Sequence, residues 1–361
     1  MLKVLWLAPN FNHYKARFLN HLAKDSNVEL TILSGAGREN MGDKELEKDW
    51  DFKHMKVNIP KANFGFSMLV RKALRREFSG FDWILIPAEK KNALLFIYAL
   101  LLRVLYKKVK LFSYNHEHVK PKEGEVKRLD VFISKWFYRC FDKVIFYTEK
   151  SCSNAIKNKL INPKKAYWAN NTIDTTEVEK WYDFEMPSKD VITLVFIGRL
   201  IKIKRVKVLI DFFNDLCNKS KENYRLEIIG DGPENSIVQE ALLTNSKITW
   251  HGTLIDEEKI APIMKKASLV FVPGLSGLSI NHAFAYGRPY ATLQADRHGP
   301  EISYLKDEYN GFILAGNFNR IEMFLKNRNE IEVFCQNAYN TSKHLNVNIW
   351  KQQILSALNE K

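Results

Sequence analysis

Short apolar runs alternate with amphipathic stretches along the whole chain. Lys3 to Ala8 is apolar at nearly every position, the pattern of a strand covered on both faces. Pro9 to Tyr14 reads as a loop and Ala16 to Ala23 as an amphipathic helix. Val28 to Leu33 is a second strand, ending in Ser34-Gly-Ala-Gly37. The polar stretch 38–51 is read as a loop. Helical spacing from Phe66 to Phe78, a strand at Trp83 to Pro87 and a helix at Leu94 to Tyr106 follow. Lys110 to Tyr114 is a strand opening into Asn115-His-Glu-His118. Phe132 to Arg139 is helical and Lys143 to Tyr147 is again a strand. Strands and helices alternating at this pace predict a parallel sheet with helices on both faces.

The pattern weakens between Trp181 and Asp190, where Pro187-Ser-Lys-Asp190 is the expected linker, and then starts afresh. Strands are expected at Val191 to Ile197, Arg225 to Ile229, Lys247 to Trp250 and Leu269 to Val272. Helices are expected at Val206 to Leu216, Glu240 to Leu243 and Glu257 to Lys266. The fold class is therefore α/β: two Rossmann-like, doubly wound domains, residues 1–180 and 181–344, facing each other across a cleft. The apolar helical spacing of Ile349 to Leu358 suggests that the C-terminal helix, 345–361, packs back on the first domain.

One turn stands out. The strand Leu269 to Val272 meets Pro273-Gly274, then Ser276-Gly-Leu-Ser279, then a helical segment stopped by Gly287 and Pro289. This order puts backbone N–H groups and a helix start above the carboxyl end of a strand, a setting suited to phosphate. Ser279, His282 and Tyr286 share a face at i, i+3 and i+7, which is expected to meet a ligand. Ile280 and Phe284 lie on another side, expected to pack. Gly198-Arg-Leu-Ile-Lys-Ile-Lys204 places two cations, Arg199 and Lys204, after a strand and before a helix, where they can clamp a diphosphate.

Composition narrows the class. Apolar residues at 46% and aromatics at 12% belong to a globular chain. Cys140, Cys152, Cys217 and Cys335 have neither metal nor disulfide spacing and read as reduced structural thiols. Ala93 to Leu105, the most apolar run, falls short of the roughly 18 residues a membrane span needs. A signal peptide is not expected either, so the reading is cytoplasmic and peripheral, on the inner face of the cytoplasmic membrane. The net charge of +14 is one-sided. Residues 1–180 hold 33 Lys and Arg against 20 Asp and Glu, and the rest hold 22 against 21. A basic first half suits an anionic membrane surface or nucleic acid. No nucleic-acid-binding motif accompanies it.

Taken as a series, Gly198-Arg-Leu-x3-Lys204, Gly230-Asp-Gly-Pro233, Trp250-His-Gly252 and Pro273-Gly-x2-Gly-Leu-Ser279, with Ala285-Tyr-Gly-Arg-Pro289, resembles the nucleotide-sugar domain of GT-B glycosyltransferases. Family 4 of the retaining enzymes is the nearest pattern, in a Gly-Leu-Ser-x-x-His-Ala form. Asn171-Thr-Ile-Asp174, His298-Gly-Pro-Glu301 and Tyr309-Asn-Gly311 resemble further motifs of that family.

The resemblance implies metal-independent, retaining transfer from a UDP- or GDP-sugar to a glycan or lipid-linked saccharide in surface polysaccharide synthesis, with no cofactor and no nucleic acid. It implies that Arg199 and Lys204 neutralise the leaving diphosphate. Gly277, Leu278 and Ser279 would present backbone N–H groups to phosphate, and Thr253 and Leu254 would meet the base. Glu301 would touch the donor, and His116 would reach the donor sugar across the cleft. His13 and Arg17 would contact the acceptor. The family's two glutamates, eight positions apart, fall here on Gly274 and His282. An imidazole at 282 would hold the ribose; nothing replaces the first carboxylate. A GT-B epimerase or hydrolase, and a non-catalytic binder of nucleotide sugars, remain as rival readings. Asp49-Trp-Asp51 reads as a solvated loop and not as a metal site.

Overall fold

The fold follows from the apolar runs. A computed structural model describes residues 1–36, 49–119, 126–294 and 297–360. The chain begins β1 (Leu2–Ala8), α1 (His13–Ala23), β2 (Val28–Ser34), β3 (Lys53–Lys56), α2 (Met68–Glu77), β4 (Trp83–Leu85) and α3 (Ala93–Leu105). It continues β5 (Lys110–Asn115), α4 (Arg128–Cys140), β6 (Lys143–Phe146), α5 (Glu149–Lys157), β7 (Ala166–Trp168) and α6 (Thr175–Glu179). Next come β8 (Ile192–Ile197), α7 (Val206–Lys219), β9 (Tyr224–Ile229), α8 (Asn235–Thr244), β10 (Ile248–Trp250) and α9 (Glu257–Met264). The last elements are β11 (Ala267–Phe271), α10 (Leu278–Ala285), β12 (Tyr290–Leu293), β13 (Gly311–Leu314), α11 (Asn319–Lys326), α12 (Arg328–Ser342) and α13 (Val347–Asn359).

Two compact units result. The chain leaves the first after Asn171 and returns to it at Val347; Thr172–Asn346 belongs to the second. Within the second unit the Thr172 hydroxyl bonds the carbonyl of Leu345, joining the two crossing segments.

The sheet of the first unit has the order β3-β2-β1-β4-β5-β6-β7, and that of the second β10-β9-β8-β11-β12-β13. Every strand pair is parallel. In each sheet the order reverses beside the central strand, β1 in one and β8 in the other. Such switch points open a crevice at the carboxyl edge, the usual place for a ligand.

Alternation along β1 explains why its sequence is apolar throughout. Val4 and Trp6 face α1 and α13, whereas Leu5 and Leu7 face α2 to α5. Helix α13 is a core element: Trp350 is 1% exposed, packs edge-on to Phe18 at 4.8 Å, and donates its indole N–H to Tyr114 Oη at 3.2 Å. The ammonium of Lys143 caps the carbonyls of Ala357 and Glu360 at the end of that helix. Burial lowers the pKa of this lysine.

Three local differences from the sequence reading have simple causes. Helix α1 starts at His13, inside the expected loop, because the Asn12 side chain accepts from the N–H of Lys15 at 3.2 Å. Helix α4 starts at Arg128, where Asp130 accepts from the Lys127 N–H at 2.8 Å. Strand β3, with the polar sequence KHMK, is an edge strand whose side chains gave no alternation to read. Of the stretch 38–51, residues 38–48 lie outside the described residues. Asp51 is bonded to Asn20 Nδ2 at 2.8 Å, and Trp50 stacks on Phe52. Among the described residues no helix is long and apolar enough to cross a membrane.

Truncating Trp350 to Ala opens a cavity at the seam of α1, α13 and the sheet. The expected cost is about 3–5 kcal/mol, measured as an earlier first transition in urea unfolding.

Candidate active site

The loops after β8, β9 and β10 at the carboxyl edge of the second sheet are tied to one another by backbone hydrogen bonds. Gly198 N–H, after β8, donates to the Ile229 carbonyl at 2.9 Å; Leu200 donates to Asp231 at 2.9 Å; Gly230 donates to Gly252 at 2.7 Å. The approach is too close for side chains. Gly230 has φ +132°, and a Cβ there would lie 1.9 Å from the carbonyl oxygen of Gly198.

A further pair of bonds bears directly on the turn after β11. Gly274 N–H donates to the Lys204 carbonyl at 3.1 Å, and Leu275 N–H to that of Ile203 at 2.9 Å. A Cβ on Gly274 would meet the Ile203 carbonyl oxygen at 2.0 Å. The glycine is therefore what lets the loop bearing the two cations lie against this turn. The position that resembles the family's first glutamate has no room for a side chain.

Lys204 is 9% exposed, with its ammonium folded back over Gly198: a Cβ built there would lie 3.7 Å from Nζ. Burial first, and then the neighbouring Arg199, push its pKa down to about 8, against a pull in the other direction from Glu301. Glu301 is 5% exposed, and its Oε2 stands 3.5 Å from where a Cβ on Gly277 would be. Burial and Arg199 thus disfavour the charged ammonium of Lys204 and Glu301 favours it, so an anion placed beside it would stabilise that charge.

His298 holds the far side of the turn. Its Nδ1 accepts from the Ser276 N–H at 3.1 Å while its Nε2 contacts the Leu293 carbonyl at 3.0 Å. The pair of bonds defines a neutral ring, a donor at Nε2 and an acceptor at Nδ1. Burial lowers its pKa, and Lys204 and Arg205 push the same way against the raising effect of the Leu293 carbonyl. Ser276, fully buried, bonds Gly274 O at 3.2 Å and Thr292 Oγ1 at 3.0 Å.

Gly277 occupies the N-cap of α10 and leaves it without a side-chain cap. The N–H groups of Leu278 and Ser279 belong to the first helical turn, which has no intrahelical acceptors. All three residues are partly exposed. Ile280 and Phe284 are fully buried, as their spacing suggests. The polar face differs from expectation. Ser279 Oγ bonds Tyr290 Oη at 2.7 Å, His282 Nε2 contacts Glu257 Oε2 at 3.1 Å, and Tyr286 Oη donates to the same oxygen at 2.8 Å. His282 is 3% exposed and Tyr286 is fully buried. The face expected to meet a ligand is turned onto protein carboxylate and phenol, and Nδ1 is the ring nitrogen of His282 that this contact leaves over.

Thr253 and Leu254 are half-buried in the loop after β10. That loop is held by the Trp250 indole N–H donating to Gly230 O at 2.7 Å, and by His251 Nε2 against Glu227 Oε2 at 2.6 Å. The remaining candidates are in the first unit. His116 is exposed at the end of β5, with its ring 4.8 Å from that of Tyr147. His13, 2% exposed, and the partly exposed Arg17 are on the first turns of α1.

Sequence reasoning missed Glu257, His298 and Tyr290 as members of this cluster. Glu257 stands in an Asp-Glu-Glu run that reads as an ordinary acidic helix start. His298 was in view, within His298-Gly-Pro-Glu301, but nothing in the spacing distinguishes it from a loop residue.

Two parallel sheets, each with a central switch point, define the GT-B architecture. Residues 191–326 match the model of the glycosyl transferases group 1 family. An uncharacterized glycosyltransferase of Methanocaldococcus jannaschii is 27% identical, over 93% of this chain and 90% of that protein. HepE of Anabaena, solved with UDP and glucose, superposes with a TM-score of 0.69 at 16% identity, covering 99% of both chains. A lipopolysaccharide outer core galactosyltransferase, WaaB, gives 0.65 at 15% identity, again over 99% of both. The chain is a glycosyltransferase of GT-B fold.

Two outcomes are expected at this site. Gly274→Glu, which restores a family-like carboxylate, should weaken binding of nucleoside diphosphates at least tenfold by displacing the Ile203–Lys204 backbone; calorimetry would detect it. Affinity of the unaltered protein should fall as pH rises through about 8, because neutral Lys204 no longer offsets phosphate charge. Lys204→Arg should flatten that decline.

Proposed function

We propose that the chain transfers a glycosyl group from a nucleoside-diphosphate sugar to a saccharide acceptor, without a metal and with retention at the anomeric carbon. The observation that carries this reading is the buried Lys204, its charge disfavoured by burial and by Arg199, near the turn whose Gly277 leaves the start of α10 without a side-chain cap. In this reading the diphosphate lies on the N–H groups of Gly277, Leu278 and Ser279. Its leaving charge is offset by Arg199 and Lys204, an electrostatic role of the kind that dominates such chemistry.

The remaining assignments follow the family pattern. Thr253 and Leu254 take the base, and Glu301 takes the donor sugar. His282 offers Nδ1 to the ribose, with Glu257 fixing the ring. His116, His13 and Arg17 belong to the sugar and acceptor. In the transfer the bond from C1 to the diphosphate oxygen breaks and a bond from C1 to the acceptor oxygen forms on the same face. The acceptor proton passes to the departing phosphate. Support for a uridine donor comes from HepE, which was solved with UDP and glucose. Support for a surface-glycan acceptor comes from the lipopolysaccharide galactosyltransferase.

A panel of UDP-, GDP- and ADP-sugars, each with and without saccharide acceptors, tests the reading. Nucleoside diphosphate should appear only when an acceptor is present. Free nucleotide or an isomerised donor without acceptor would instead mark a hydrolase or epimerase, and binding without turnover a non-catalytic protein. Arg199→Ala should lower transfer by roughly 10²–10³ with little change in thermal stability. Near-normal transfer by that variant would remove Arg199 from the diphosphate.

A further inference from the structure

Helix α3 is apolar all round, yet it is covered on one side only. Leu95, Phe96, Ala99 and Leu102 are buried against the sheet. Ile97, Leu101 and Val104, at helical spacing on the other side, are 43%, 61% and 69% exposed. An all-apolar helix belongs in an interior or against another apolar medium. The neighbouring helix repeats the feature: on α4, Leu129, Phe132 and Trp136 at i, i+3 and i+7 are 62%, 68% and 38% exposed. The two helices are adjacent, with Phe96 packed on Trp136 at 5.7 Å and on Phe137 at 4.9 Å. Their outer sides thus form one apolar surface.

Exposed cations stand on the same segments. Arg75 and Arg76 are exposed at the end of α2, Lys107 and Lys108 just after α3, and Arg128 and Lys135 on α4. Acids within the same segments are matched by cations of the protein: Glu77 pairs with Arg76, Asp130 with Lys90, and Asp142 with Arg103. Arg76 is thus balanced by Glu77, and Arg75, Lys107, Lys108, Arg128 and Lys135 give the face its positive character beside aliphatic and aromatic side chains.

We propose that this outer face of α2, α3 and α4 is a docking surface for an anionic lipid bilayer. Leu101, Val104 and Phe132 enter the headgroup region, and the exposed cations lie on anionic headgroups. The exposed aliphatic stripe of α3, Ile97, Leu101 and Val104, distinguishes this surface from a nucleic-acid site, which calls for stacking aromatics along a basic groove. Like charge also disfavours a second copy of the chain. The arrangement combines the apolar burial and the electrostatic attraction that interfacial binding needs, without a spanning helix. It would bring the acceptor-side unit to a lipid-linked saccharide. The proposal stands apart from the transfer reaction, since its test contains neither donor nor acceptor.

Sedimentation of the full chain with phosphatidylcholine vesicles, with and without phosphatidylglycerol, is the test. Binding is expected to the anionic vesicles and to be weaker at high salt. The double variant Leu101→Glu with Phe132→Glu changes only exposed positions and should lose at least about tenfold in partition. Arg75→Glu with Arg76→Glu should lose about as much, with less salt dependence remaining. Unchanged thermal unfolding of either variant separates lost docking from misfolding. Absence of binding to anionic vesicles would overturn the proposal. So would equal binding to neutral ones, or full binding by both variants. Two further results would reassign the face: a dimer made monomeric by the Leu101 and Phe132 changes, or retention on single-stranded RNA that these changes abolish.

Discussion

Two backbone hydrogen bonds organise the second unit's site: Gly274 to the carbonyl of Lys204, and Leu275 to that of Ile203. They fasten the loop after β8 to the turn after β11, on either side of the switch point. Without them Lys204 would be free to extend into water, where an ammonium is best solvated. With them it is held at 9% exposure next to Arg199. The fold thus accepts an electrostatic cost at one lysine, a cost that a bound anion would lessen. The lowered pKa of Lys204 and the neutral ring of His298 report a single condition, a positively charged loop poorly reached by solvent.

Much of the fold was legible because both sheets are parallel and covered on two faces. Such strands are continuous apolar runs, and β1, β2, β8, β9 and β11 all stand out as such. The buried four-residue strands β12 and β13 still escaped, being short and next to turn motifs, and so did two strands without that signature. β3 is a polar edge strand, and β7 is three residues long. The start of α1 was hidden because Asn12, one more polar residue in a loop-like stretch, caps it through a bond visible only in three dimensions. The site was legible as a place but not as a set of orientations. Helical spacing showed that Ser279, His282 and Tyr286 share a face. It could not show that Glu257, more than twenty residues earlier, waits beneath them.

That carboxylate changes how the departure from the family pattern is understood. A glutamate at position 274 would require the Ile203–Lys204 backbone to move, so glycine there and the buried Lys204 belong to one solution. At position 282 a histidine takes the place of an acid, but an acid is nearby: Glu257 Oε2 accepts from Tyr286 and contacts His282 Nε2. The negative charge has moved one residue's reach deeper, and the imidazole stands in front of it. A histidine held this way has a defined tautomer and a fixed ring, which a solvent-facing imidazole lacks.

The first unit presents the complementary case. Ala93 to Leu105 is the most apolar run of the chain, and exposing an apolar residue forfeits about 25 cal/mol for each Å² left in water. The described protein buries only the sheet side of α3, and a matching exposed stripe lies on α4. Surface leucines scattered singly need no explanation, whereas two adjacent stripes beside exposed cations do. Solubility alone would favour polar residues at those positions. The proposed docking surface would set these positions in a medium that is itself apolar beneath a charged surface.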